Sequence, residues 1–564
     1  MRRSWQPSGR VSGAWPPLGF SVPSLIHARG HSSREHQRRR EDGDTLLHAC
    51  NDDDSVMAVA DLQTMELSTW RVLWAVVALL VVYCWRKLSY WSSRGVPSVP
   101  FLRTMLKNSF KLMIRKIPVW KLENEIYHEY GGSNYVGMYS IQLKPSLMVR
   151  DPDLVKRIMI QDFDHFPDRL LIDTTDKDDY VKEMLTMVNG SHWKNLRCIM
   201  SPTFTSRKMR RMYPLLTVKA DSLMKHFTHL HHTAAYVNMK ASFAHYVMDV
   251  IATCAFGIDC NTIENQNGEF SRKAAELFQT NARAFIKGFA LLFLPKIVTS
   301  ALGIRLASPA MDFFRDVIVE TIKLREGQAQ RGDFLDLMLE QRANQTSLNP
   351  KYPLKDVTIV AQSVIFLVVG HETTANMLAF TTFLLAKHPH QQRRLREELR
   401  ALLKEHGSLS YQTVMEAPFL DACISESLRL HPPLVTTLRE CRKDYILPGT
   451  NVEIKKGHRV SLPIWCLQHD PRYWSNPEEF CPDRFLPENK PSIIHGTYLP
   501  FGLGPRNCIG MRFALMESKL VLARTVLEFE MSLAPGHEEL DLSIVTMKPK
   551  DDLKLILTPI PEDD

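Results

Sequence analysis

One cysteine near the carboxyl end carries the most chemistry in this chain. Cys508 lies in Phe501-Gly502-Leu503-Gly504-Pro505-Arg506-Asn507-Cys508-Ile509-Gly510, a run of the form F-x-x-G-x-R-x-C-x-G. A cysteine can give a thiolate to a metal, and backbone N–H groups aimed at the sulfur tune that ligand. Glycines, lacking Cβ, let backbone approach something large and flat. Arg506 offers a guanidinium to an acidic group. A dinucleotide loop is excluded, because G-x-G-x-x-G would need its third glycine where Asn507 stands.

Three other groups have chemistry in their spacing. Gly370-His371-Glu372-Thr373-Thr374 interrupts a long apolar stretch that reads as a buried helix. A polar cluster there is costly unless something polar faces it. A zinc-protease pattern H-E-x-x-H fails, since Ala375 stands at the second histidine position. Glu426 and Arg429 are three apart on a helix that Pro432 and Pro433 end. Trp193 and Arg197 are four apart and share a helical face.

Taken together these motifs resemble those of the cytochromes P-450, and the resemblance covers residues 95–560. It implies haem b, with Cys508 as the axial thiolate that pushes electron density onto iron. Phe501, Arg506, Trp193, Arg197 and Arg439 would contact the haem, with Arg169 a further propionate-contact position. Thr373 would hydrogen-bond oxygen held above the iron, and Glu372 would help relay protons to it. Glu426, Arg429 and Arg484, the last in Pro482-Asp483-Arg484-Phe485, would form a structural charge triad. Val368, Val369, Leu434, Val435 and Leu438 would line the substrate pocket. Val369 departs from the family, which usually has Ala or Gly before Gly370; facing the iron, it would narrow the space beside the oxygen site. Met248–Gly257 and Gln362–Thr374 look most like the family-three group and its arthropod relatives.

The elements that must position these residues read as mostly helical, with a strand-rich minority. The fold class expected is mainly α with a smaller β-rich portion (α+β), the P-450 fold, preceded by one N-terminal transmembrane helix. Apolar periodicity places helices at Asp153–Ile160, Arg210–Leu230, Met311–Leu324, Asp356–Lys387, His390–Glu405 and Ala417–Leu430. Strands are expected at Tyr135–Tyr139, Ser146–Val149, Arg459–Leu462 and Leu553–Thr558.

The chain has 564 residues, ten scattered cysteines without a C-x-x-C, and a net charge of +8. Scattered thiols suit a reducing compartment, and C-x-x-C zinc or redox sites are excluded. Residues 1–64 hold eight Arg and eight acids, so the whole basic excess lies beyond them. An excess this mild argues for an anionic membrane surface or an acidic partner rather than nucleic acid. Residues 1–64 read as a disordered extension; its acid-poor start also resembles a transit peptide, and Met65 is an alternative start. Residues 65–92 read as a membrane anchor built on the uncharged run Val72–Trp85, 93–100 as a proline-containing hinge, and 101–564 as the catalytic domain. Six Lys/Arg and no acid at 86–111, against five acids and no base at 51–66, put the remaining chain in the cytosol.

The function implied is a haem-thiolate monooxygenase of the endoplasmic reticulum. It would insert one oxygen atom of O2 into a lipophilic substrate (xenobiotic, steroid or fatty-acid-like). Its electrons would come from NADPH through a flavoprotein reductase, with cytochrome b5 as a further partner. Lys194, Arg207, Lys208, Arg210 and Arg211 would dock the reductase. The alternatives are an isomerase that rearranges a peroxide on the same fold, a non-enzymatic haem sensor, and, for location, the mitochondrion. Thr373, and the sequence Met511-Arg512 where mitochondrial relatives carry two arginines, favour the first reading.

Overall fold

The structure is a computed structural model. It describes residues 52–561 apart from 104–110, 112–116, 140–142, 170–177, 278–285, 326–330, 344–352, 544–546, 550–551 and positions 289, 292, 293 and 295, with side chains from Trp70 onward. What was expected of residues 1–51 lies outside the described residues.

The first helix, α1, runs Asp52–Leu88. Its first residues lie in the segment read from the sequence as an extension. Arg86 and Lys87 in its last turn complement the negative end of the helix dipole. Trp74, Leu79, Leu80, Val81 and Trp85 are exposed. The hinge is better anchored than a linker. Val96 and Val99 are buried, and the backbone at Pro97–Val99 exchanges hydrogen bonds with Gly137. A Cβ on Gly137 would stand 2.5 Å from the Trp91 ring, so only glycine allows the indole to pack there.

The helices that matter for the site are α2 Val119–Glu129, α3 Gly190–Met200, α4 Ser206–Thr233, α5 Met239–Phe256, α6 Asp356–Lys387, α7 Pro418–Leu430, α8 Ile464–Gln468 and α9 Met511–Glu528. The architecture is mainly helical with a smaller strand portion, as expected. Helix α6 has an 18-residue window of mean hydropathy 1.4, enough for a membrane span, but 61% of that window is buried in protein. It is the core helix that its apolar periphery implies. Helix α5 packs against it, and at Gly370 a Cβ would meet the Ile251 side chain at 2.9 Å.

The largest described sheet has the order β1-β2-β7-β4: Tyr135–Tyr139, Pro145–Val149, Arg459–Leu462 and Thr437–Glu440. β2 and β7 are parallel and the other pairs antiparallel. In the β4–β7 register Leu438 faces Ser461 and Arg439 faces Val460. This places Arg439 on a rigid ladder, while the cysteine loop enters from the far end of the chain.

Candidate active site

The cysteine loop is a tight turn leading into α9. The Cys508 N–H donates to the Phe501 carbonyl (2.8 Å), and the Asn507 N–H donates to Gly504 (3.0 Å). Gly504 has φ +69°, and a Cβ there would stand 2.0 Å from the Met159 carbonyl oxygen. No other residue fits that position. The Cys508 side chain is exposed on one side. Its thiol is nonetheless pushed up by burial, and opposed in turn by the Gly510 N–H, Arg197, Arg169 and the Met511 N–H. A ligand that takes the proton's place on sulfur gains from those same donors.

Four guanidinium groups converge around this loop from distant segments. Arg506 is buried with its guanidinium 4.2 Å from the Trp193 ring. It donates to the Val188 carbonyl and to Asn189 Oδ1, and lies 3.7 Å from Asp168. Arg169 donates to the Arg506 carbonyl at 3.0 Å. Arg197 donates to the Asn507 carbonyl (3.0 Å) and to Asn507 Oδ1 (2.8 Å), so in this structure it clamps the loop itself. Arg439 is 1% exposed and donates to Thr437 Oγ1 and the Leu438 carbonyl.

This cluster is short of anions. Burial, then Arg169, holds Arg506 down at about 9. Arg439 is pushed well down by burial and then by Arg169 and Arg506. Asp168 is the one carboxylate paired with these arginines among the described residues. Arg169 Nε, Arg506 Nε and both Nε and Nη2 of Arg439 are buried without a hydrogen-bond partner. Buried charged donors without acceptors are costly. An iron porphyrin fits this donor set: its two propionates would satisfy the arginines while its iron meets the sulfur.

On α6, Val369 is 44% exposed within an otherwise buried helix. Val368 packs against the core. The Thr373 hydroxyl donates to the Val369 carbonyl at 2.8 Å, an i−4 helix bond. Glu372 lies between two cations, Lys548 Nζ at 3.4 Å and Lys240 Nζ at 3.6 Å. Sequence reasoning missed both lysines, which come from elements far from α6 in the chain. His371 is buried, and that burial lowers it to about 4, so it is neutral at neutral pH. Glu517 on α9, also missed, is 1% exposed, raised well above its ordinary value by burial, and hydrogen-bonded with Thr374. It links the cysteine side of the core to α6.

On α7, Glu426 and Arg429 are wholly buried and paired in a two-pronged contact of 2.8 and 2.9 Å. Arg484 Nε reaches Glu426 Oε1 at 3.3 Å. All three triad residues are therefore brought together. Of the expected pocket positions, Leu434 is 55% exposed and Leu438 half-buried. Val435 is buried, in one cluster with Trp120, Phe380 and Trp465.

The family model described as Cytochrome P450 matches residues 103–556. The chain is 35% identical over 477 residues to cytochrome P450 3A11 of Mus musculus, covering 83% of this chain and 92% of that protein. It is 33% identical over 506 residues to cytochrome P450 9e2 of Blattella germanica, covering 84% and 93%. Over 476 residues it is 33% identical to cytochrome P450 3A7 of Homo sapiens, covering 83% and 92%.

Proposed function

This chain belongs to the cytochrome P450 family and is a P450 monooxygenase, and from that premise we propose that it oxidises lipophilic substrates at the endoplasmic reticulum with NADPH electrons delivered by a flavoprotein reductase. The observation that carries the reading is the convergence of Cys508 with the acceptor-poor arginines. When bound, haem supplies the reductive activation of O2, one atom going to substrate and one to water.

The chain's own residues would do the following. Cys508 gives the thiolate, held by the Gly510 and Met511 amides. Arg439, Arg169 and Arg506 hold the propionates, Arg506 braced on Trp193. Arg197 and Phe501 keep the loop in shape through Asn507 and the Cys508 amide. Thr373 would turn its hydroxyl from the Val369 carbonyl toward the substrate space and supply a proton there. Glu372, paired with Lys240 and Lys548, would release one lysine to take a proton from solvent and pass it inward. Leu434, Leu438 and Val369 bound the substrate space. The exposed side chains Lys194, Arg207, Arg210 and Arg211, with half-buried Lys208, suit an acidic reductase and cytochrome b5. The exposed apolar run of α1 at Val72–Trp85 suits insertion in lipid, as a single-pass anchor with the catalytic domain cytosolic.

The reading is tested by the absorption spectrum of the reduced, carbon-monoxide-bound protein. A far-red-shifted Soret band is expected, and a band at the position of nitrogen-ligated haem would overturn it. Thr373→Ala should uncouple the reaction: NADPH consumption continues, hydrogen peroxide rises, and oxidised product falls roughly tenfold to a hundredfold. Unchanged coupling would remove Thr373 from proton delivery. Val369→Ala should change product ratios by up to about tenfold, the effect of a methyl-sized change in a pocket wall. Identical product patterns across several substrates would place that side chain outside the substrate space.

A further inference from the structure

Helix α2 presents three buried polar atoms without a hydrogen-bond partner on one face: Trp120 Nε1, Glu123 Oε2 and Asn124 Oδ1. Residues at i, i+3 and i+4 are neighbours on a helix surface. The other Glu123 oxygen is held by hydroxyls alone. Ser461 Oγ reaches Oε1 at 3.3 Å, and Thr436, itself 3.1 Å from Ser461 Oγ, also hydrogen-bonds the carboxyl. No ion pair to Glu123 occurs among the described residues; Lys121, two positions back, has its ammonium 5.3 Å from the Trp120 ring. The Trp120 and Trp465 rings pack with centroids 4.7 Å apart and wall the same corner.

A desolvated carboxylate normally has a cation beside it, since burying the charge alone is expensive. Here the remaining acceptors are a carboxylate oxygen and an amide oxygen beside two indole rings. Carboxylate, amide oxygen and aromatic face each attract a compact cation. The corner touches Thr436, two residues from Leu434, which is 55% exposed. Burial pushes the Glu123 carboxyl up to about 7, so an arriving cation would draw it into the charged form.

We propose that Glu123, with Asn124, Trp120 and Trp465, is a receptor for the cationic nitrogen of an amine-bearing lipophilic substrate, whose apolar body extends past Leu434 toward the haem. This rests on the monooxygenase reading for its consequence and names a substrate class for it. The corner itself is built by α2, β7, α8 and the residues just before β4, apart from the cysteine loop.

The test uses the full, haem-loaded chain and two probes: phenylbutyl-trimethylammonium and its neutral tert-butyl isostere. A quaternary nitrogen cannot ligate iron, so binding is read from the substrate-induced spin change and by equilibrium dialysis. The affinity ratio of cation to neutral probe should fall at least about tenfold in Glu123→Gln, with Glu123→Asp between, while the neutral probe binds alike in all three. An equal ratio in wild type and both variants overturns the proposal. Should Glu123→Gln fail to hold haem, the ratio in Glu123→Asp decides, and an unchanged ratio there is equally fatal. A ratio that moves while neither probe is oxidised supports the receptor and sinks the oxidation reading. An unmoved ratio with oxidation of the neutral probe does the reverse.

Discussion

Cys508→Ala should abolish the far-red Soret band of the reduced carbon-monoxide complex and reduce NADPH-dependent product formation to background. The reason is geometric. The loop is fixed by the Gly504 contact with Met159, by the Cys508 N–H bond to Phe501 and by the clamp of Arg197 on Asn507. Another side chain cannot swing into the position of Sγ without breaking that turn. Among the described residues no group of three or more His, Cys, Asp or Glu could hold a metal instead. The arginine cluster remains, so the variant should still bind porphyrin weakly, with a spectrum lacking the thiolate signature. That separates loss of the ligand from loss of the fold. A persisting far-red band would mean that a different residue ligates the iron.

Glu426→Ala should destabilise the protein by about 3–5 kcal/mol, the cost of leaving a buried charge without its partner. Arg429 is wholly buried, and its other partners are the carbonyls of Gln468, Pro477 and Glu479. Carbonyl dipoles do not replace a carboxylate. Glu426 Oε1 also accepts the Cys481 N–H at 3.0 Å, which would be orphaned as well. Domains are typically stable by roughly 5–15 kcal/mol, so the loss is a large fraction of the total. The measurement is the urea midpoint together with haem retention, and both should fall. Arg484→Ala should cost less, about 1–2 kcal/mol. Its contact to Glu426 is longer, and its own partners, Ser475 and Asn476, lie at the exposed edge. Equal effects of the two variants would contradict the placement of the buried charge on Glu426–Arg429.

Local pattern was highly legible. Helix α6 runs over Asp356–Lys387, as its apolar composition implies, and β1 and β7 occupy the segments marked by their alternation. Gly502 and Gly504 of the cysteine loop were legible because both take a positive φ, and Gly504 also lies too close to the Met159 carbonyl for any Cβ. The Glu426–Arg429 pair was legible because i, i+3 spacing is a property of the helix itself.

The chemistry held by neighbours along the chain was thus determined by sequence alone: the thiol, its glycines, the Glu372–Thr373 pair and the long helix that bears them. Only the tertiary structure decided which charges meet. It brought Arg169, Arg197, Arg439 and Arg506 together, set Lys240 and Lys548 on Glu372, buried Val435 while leaving Leu434 exposed, and left Glu123 under the sheet with hydroxyls for company. A carboxylate's partner is fixed by distance in space and by the water removed around it, and neither quantity can be counted along the chain.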